Sequence, residues 1–406
     1  MLINSNDKKL VVVLFIISLF TLYPSAFYLV LSPFHQLISL TFLLSAFFFS
    51  KKIIISKIDC LLFLISCSYI IVQYFLLEHG DVDLTVSILN KIIYLALVLI
   101  VFRIVNIHLL ALYLVNIVLL ILFFNALSFF LVIVFDLEPI FSLTLHDGRE
   151  LKMYFFSFSL AILDFGSFSF LRGGGWFDEP GSLGFIAFLA MVICGIFERR
   201  ANAFRIAIMI LGWFSFSLAF FLVSIVYYLA TLKFNRKLIV VSFVGLSLVS
   251  LAISNLKEEH QDAIYSYTVG RLVNFNATND EGRKTGDTRY HINKVAFELI
   301  ERSPTIGVGE RYALDYSKDF GNASIISSLA IYGIVGFVFF SAPFLFFYIK
   351  TWLVVFRRKE LTRMLALVLI GLMFYQRPYW ELPLNYVMLL LSLYVLSERR
   401  IRDYEC

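Results

Sequence analysis

Residues 108–135 read HLLALYLVNIVLLILFFNALSFFLVIVF, a stretch with no Lys, Arg, Asp or Glu. A helix needs about 20 apolar residues to cross a hydrocarbon core, so this run is long enough. It is apolar on every side, which predicts a helix surrounded by lipid or by other apolar helices. Similar runs recur on both sides of it, at 10–30, 36–50, 59–77, 84–105, 182–197, 206–217, 218–231, 238–256, 323–349, 364–376 and 384–397. Hydrophobic residues make up 60% of the chain and the mean hydropathy is +0.86. The expected fold class is therefore an all-α polytopic membrane protein with about 12 transmembrane helices. The runs are continuous rather than short and alternating, which excludes a transmembrane β-barrel.

Basic residues set the expected orientation. Lys8, Lys9, Lys51, Lys52, Lys57, Arg103, Arg199, Arg200, Arg205, Lys233, Arg236, Lys237, Lys350, Arg357, Arg358, Lys359, Arg363, Arg399, Arg400 and Arg402 all fall on one side of the spans. The short connections 31–35 and 78–83 on the other side hold no Lys or Arg. The positive-inside rule then puts the basic side, and both termini, in the cytoplasm of a bacterium. The run 206–231 has basic flanks at both ends and must turn back on itself, as two half-length helices or as a re-entrant hairpin. The first apolar run is read as a transmembrane helix rather than a cleavable signal peptide.

This division gives five segments: N-terminal transmembrane helices (1–135), a first large outward loop (136–181), middle transmembrane helices (182–256), a second large outward loop (257–322), and C-terminal transmembrane helices with a cytoplasmic tail (323–406). The second loop breaks the apolar pattern most sharply, with nine Lys/Arg and eleven Asp/Glu. The four cysteines, Cys60, Cys67, Cys194 and Cys406, lie outside both loops, so neither loop has a disulfide framework or a cysteine metal site. No Walker A loop or HExxH is present, and neither large loop holds a D-x-D pair, so neither a metal nor another cofactor is expected. The net charge of +5 identifies no partner, and no nucleic acid is expected. Lys91 lies inside the fourth apolar run. An ionisable residue there is either functional or snorkels to the outer interface.

The first loop ends in LRGGGWFDEPGSLG, residues 171–184. Three glycines permit close approach of backbone to a ligand. Arg172 offers a guanidinium fork suited to phosphate. Asp178 and Glu179 precede Pro180, which fits the first turn of a helix. They are either capping charges or chemical groups. In the second loop, residues 288–304 read TRYHINKVAFELIERSP. Ile292, Val295, Ala296, Leu299 and Ile300 follow helical spacing and predict an amphipathic helix. Its first turn carries Arg289 and His291, where helix N–H groups also favour anions. Ser303-Pro304 ends it, and Gly307-Val308-Gly309 makes a turn. Arg271, Arg283, Lys284 and Arg311 are further cations of this loop.

These residues carry a resemblance. Arg172 through Gly175 to Glu179-Pro180, leading into a span, is similar to the R-x-x-G…E-P element of the O-antigen polymerase and ligase superfamily of cell-envelope glycosyltransferases. Arg289 opening a helix that ends Pro304-Thr305-Ile306-Gly307-Val308-Gly309 resembles its R…P-x-x-G-x-G pattern. Asn322-Ala323-Ser324 followed by Gly333-Ile334-Val335-Gly336 resembles a third element. Ligases of this superfamily usually carry a His where this chain has Asn322, which favours the polymerase, although His291 is available to stand in for it.

The resemblance implies a metal-independent O-antigen polymerase of the inner membrane. It would join oligosaccharide repeat units carried on undecaprenyl diphosphate, at the periplasmic face, with no nucleotide sugar. Arg172, Arg271 and Arg289, with Arg283 and Arg311, would hold the diphosphate. Glu179, or else His291, would take the proton from the acceptor hydroxyl, and Asp178 and Asn322 would contact the acceptor. Membrane lipid and a chain-length regulator protein are the further partners implied. An O-antigen ligase and a flippase or exporter of lipid-linked oligosaccharide are the alternatives.

Overall fold

The computed structural model describes residues 5–22, 25–50, 56–76, 82–135, 137–144, 150–164, 169–197, 200–231, 290–317, 320, 324–376 and 380–398, with isolated positions between 254 and 265. The expected span 238–256 lies almost entirely outside the described residues. The described chain is mostly helical.

Before the first loop come α1 (Ser5–Phe20), α2 (Phe27–Val30), α3 (His35–Ser50), α4 (Lys57–Leu76), α5 (Val82–Ile104) and α6 (Ile107–Phe135). The middle of the chain forms α7 (Pro180–Ile193), α8 (Ala201–Gly212) and α9 (Leu218–Thr231). The second loop contributes α10 (Tyr290–Arg302) and α11 (Glu310–Tyr316). After it come α12 (Ile325–Phe340), α13 (Ala342–Arg358), α14 (Leu361–Gln376) and α15 (Pro383–Ser397). Among the described residues, α6 is the one helix long and apolar enough by itself to cross a membrane. The pair α12 and α13 makes a second if taken together, and it is bent by 62°.

Two helices form the centre. Every residue of α7 but Gly181 is buried, as are nearly all of α15. A helix apolar all round has no solvent face to offer and ends up enclosed by its neighbours. These two run parallel and side by side. Ser392 Oγ donates to Leu189 O (3.4 Å), and a Cβ on Gly195 would stand 3.2 Å from Val395. One end of the bundle is held by cations. Arg205 donates to Met191 O (3.2 Å), Arg358 to Ser397 O (2.7 Å) and Arg363 to Leu396 O (3.0 Å), while Arg103 bonds Asp59 (2.8 Å) between α5 and α4. The last carbonyls of a helix lack intrahelical donors, so guanidiniums there satisfy them and oppose the negative end of the helix dipole.

The bend between α12 and α13 has a local cause. Pro343 has no N–H to give Phe339 O. Ser66 of α4 fills that place, donating to Phe339 O at 2.9 Å. The expected turn-back at 206–231 takes the form of two short helices. Phe216 adopts the left-handed region (φ 49°) between α8 and α9. The first expected span is also broken, because α1 stops at Phe20 and a separate short turn forms α2.

The first loop departs from the all-α expectation. The described residues between 141 and 175 form a four-stranded antiparallel meander: β1 (Phe141–Thr144), β2 (Glu150–Tyr154), β3 (Ser157–Asp164) and β4 (Ser169–Gly175), paired in that order. The hairpin β2–β3 turns through Phe155 and Phe156, both with positive φ (34° and 62°). Such turns normally use Asn-Gly or Gly, so the residue types carry no signal of it. Tertiary contacts hold the turn instead. Ser128 Oγ donates to Tyr154 O (2.9 Å), and Phe124 meets the rings of Phe155 and Phe156 at 5.9 and 5.6 Å.

Candidate functional site

The glycines at 173–175 end β4 against α6 and α7. Asn125 of α6 is buried and lies where a Cβ on Gly173 would be, 2.1 Å away. Its Oδ1 accepts from Gly175 N (3.2 Å) and Ser157 Oγ (3.2 Å). A Cβ on Gly174 would stand 2.7 Å from Phe177 O, and Gly175 takes φ +60° against Ile121 and Leu183. The close approach that glycine permits is therefore filled by the protein itself. The segment anchors the sheet to the helices and aims the chain into α7.

Phe177 pairs with Ser25 in an isolated bridge, which fixes the chain just before the acidic pair at the start of α7. Asp178 is buried, and Ser182 Oγ donates to its Oδ1 (3.4 Å). Glu179 is the N-cap residue, with extended backbone (φ −140°, ψ 144°), and its side chain makes no capping hydrogen bond. It is half-buried. Arg172 is half-buried too, and its Nη2 donates to Phe216 O (3.0 Å) at the tip of the α8–α9 hairpin. Gly184 of α7 sits under the same tip, against Ser217 and Phe220. Arg172 thus ties the sheet to the hairpin, at the end of α7 that carries Glu179.

The second loop folds onto α12. Helix α10 buries Ala296 and Leu299 and half-buries Ile292, Val295 and Ile300, the face expected from their spacing. Ser324 caps α12 by accepting from Ser327 N (3.4 Å) and donates to Asn293 Oδ1 of α10 (2.7 Å). Arg302 donates to Tyr312 Oη (2.8 Å) and Tyr316 Oη (3.2 Å), tying α10 to α11.

Between these helices lies a junction that sequence alone does not disclose. Gly333 breaks α12 with φ 64° and ψ 178°. The turn at 304–309 fits into the break. Val308 N donates to Ala330 O (3.0 Å), Gly309 N to Ile331 O (3.1 Å), Ile334 N to Pro304 O (2.9 Å) and Val335 N to Thr305 O (3.0 Å). Tyr69 of α4 closes it from behind, donating to Tyr332 O (2.9 Å) and Ile306 O (3.2 Å). Buried backbone groups require partners, and here the two interrupted segments satisfy each other. The P-x-x-G-x-G turn and the G-x-x-G segment are thus two halves of one contact.

Among the remaining candidates, Arg311 stands exposed on α11. His291 occupies the first turn of α10. Arg271, Arg283, Arg289, Lys284 and Asn322 lie outside the described residues, so their relation to Glu179 does not enter the geometry. Glu381, which no sequence motif marks, is half-buried and stands two residues before Pro383, the first residue of α15. No model of a known protein family matches the chain, and no curated protein matches it.

Proposed function

We propose that the chain is a bacterial inner-membrane O-antigen polymerase with about 12 spans, both termini cytoplasmic and both large loops periplasmic. It joins repeat units carried on undecaprenyl diphosphate. The observation that carries this reading is the docked junction of 304–309 with the break at Gly333. Two of the three elements on which the resemblance rests meet in one structural unit, which supports reading them as one device rather than as chance patterns. The membrane assignment is supported by large apolar side chains exposed on helices, including Phe48, Leu64, Phe123 and Leu229. Large apolar surface left uncovered marks contact with a partner or with lipid.

The reaction transfers the reducing end of one lipid-linked glycan to a sugar hydroxyl of another. The leaving group is a diphosphate anion, and guanidiniums stabilise it in the manner of an anion hole. Arg172, Arg271, Arg283, Arg289 and Arg311 are the proposed donors. A carboxylate at the start of α7, with Glu179 the residue offered by the sequence and His291 its alternative, accepts or orients the acceptor hydroxyl. Asp178 and Asn322 complete the acceptor side, and a chain-length regulator is a proposed partner.

The test is the glycolipid profile of a deletion strain. The polymerase reading expects single repeat units capped on lipid A–core, with ladders restored by the wild-type chain. Unattached polymer would assign a ligase, and absence of both would assign a flippase.

A further inference from the structure

Helices α7, α9 and α15 finish where α14 begins, and a cavity of about 500 Å³ lies between these four ends. Its lining includes Arg205, Tyr227, Thr231, Glu360, Thr362 and Arg363. It stands at the far end of α7 from Glu179, about 20 Å away along a helix of 14 residues. The transfer reaction proposed above makes no use of it.

Three helix C-termini meet here, and their carbonyls would repel an anion. The two arginines offset much of that. Arg205 Nε donates to Met191 O, and Arg363 Nη1 to Leu396 O and Glu398 O. Arg363 Nε also pairs with Glu360 Oε2 (2.7 Å). A guanidinium carries five N–H groups, so donors remain. Arg363 Nη2 has no partner among the described residues. The Nη groups of Arg205 make two long bonds, to Asn202 Oδ1 and Tyr227 Oη, both 3.4 Å. These exceed the usual range of about 2.7–3.2 Å and yield to a better acceptor.

Tyr227 gives the sharpest indication. It is buried, its ring packs edge-on against Phe188 at 5.8 Å, and the Arg205 guanidinium lies over that ring. Its Oη accepts from Arg205, but its own O–H meets no acceptor among the described residues. A buried donor left unpaired is costly. This hydroxyl therefore calls for an acceptor supplied from outside, at a cavity that Tyr227 itself lines.

Charge and shape narrow the ligand. Arg205 and Arg363 against Glu360 leave the described lining with one net positive charge. The start of α14 adds N–H groups that favour an anion. A phosphodiester matches, with one negative charge and oxygens that only accept. Leu361 on the rim is exposed, as are Val368 further along α14 and Val226 and Leu229 on α9. Thr362 Oγ1 donates to Ala230 O (3.5 Å), so the two helices adjoin, and their apolar surface offers a path for acyl chains away from the cavity. In the topology proposed above this end is cytoplasmic, where the leaflet is rich in anionic lipid.

We propose that this cavity binds the phosphodiester headgroup of an anionic phospholipid from the cytoplasmic leaflet. One phosphate oxygen accepts from the Tyr227 hydroxyl and Arg205, and another from Arg363 Nη2. The bound headgroup ties the ends of α7, α9 and α15 to the start of α14. The site depends on the membrane assignment and not on the transfer chemistry. A free phosphate would meet the same donors but has no use for the apolar surface.

The experiment measures binding of phosphatidylglycerol, fluorescently labelled on an acyl chain, to purified full-length chain in neutral detergent. Unlabelled phosphatidylglycerol competes for the site. Phosphatidylcholine with the same chains competes at least about 10-fold less well, because it brings a quaternary ammonium to a cationic lining. Tyr227→Phe weakens phosphatidylglycerol binding by roughly 2- to 10-fold, the loss of one neutral hydrogen bond, while the lipid-free unfolding temperature stays unchanged. Arg363→Gln weakens it by about 10-fold or more. Equal affinity for the two lipids overturns the inference, as does a Tyr227→Phe protein that binds phosphatidylglycerol as tightly as the wild type. The tyrosine variant decides the matter if Arg363→Gln fails to accumulate, since it removes a single oxygen. Inorganic phosphate that competes as well as phosphatidylglycerol overturns the lipid as the source and leaves free phosphate as the ligand.

Discussion

Replacing Gly333 with Ala strikes the junction between the second loop and α12. The residue sits at φ 64°, ψ 178°, a region open to glycine alone, and holding another residue there costs on the order of 1–3 kcal/mol. Space is lacking as well. A Cβ would lie 2.4 Å from Gly307 N and from the backbone carbonyl of Thr305. Both are main chain, so the turn has to move away. That loosens four backbone hydrogen bonds, each worth about 0.5–1.5 kcal/mol net. The expected local cost is roughly 3 kcal/mol or more. Amide hydrogen exchange on the purified protein in detergent reads it directly. The amides of Val308, Gly309, Ile334 and Val335 should exchange about 100-fold faster, since about 1.4 kcal/mol is tenfold. Amides within α6, which does not touch the junction, should keep their wild-type rates. Unchanged protection at the four junction amides would refute the docked-turn account. Uniform loss everywhere would refute its locality.

Other outcomes test the proposed topology and chemistry. A reporter active only in the periplasm should be active when fused at Asp280 and silent at Lys233 or Lys359; the opposite pattern overturns the orientation. Arg289→Ala should abolish polymer in cells while the protein still inserts, and Arg289→Lys should retain at most partial activity because it loses the bidentate fork. Normal long ladders from Arg289→Ala would remove that residue from diphosphate binding. Glu179→Gln should lower turnover by about 100-fold or more with little change in protein level if the residue takes the acceptor's proton, and a drop in protein level with full specific activity would return it to a structural role.

The helices are legible because each is written in a contiguous run. The apolar stretch 108–135 reappears as Ile107–Phe135, and the spacing of Ala296 and Leu299 marks the buried face of α10 without reference to any neighbour. The run 206–231 is legible as a turn-back for the same local reason, its basic flanks. Elements that escape a sequence reading lack local signals. The meander at 141–175 turns through two phenylalanines, and Phe124 and Ser128 on another element hold them. The glycines at 173–175 read as an opening for a ligand, yet Asn125, about 50 positions away in sequence, fills the space.

Composition and periodicity alone determine that this chain makes apolar helices and that one amphipathic helix interrupts its second polar loop. Hydrophobic burial and helix periodicity act over a few turns, so sequence carries them openly. Only the tertiary structure decides that 304–309 seats in the break at Gly333, and that α7 and α15 lie side by side across about 200 positions. Those relations depend on how long helices register against one another, and a packing register is a property of two surfaces that no single stretch of sequence contains.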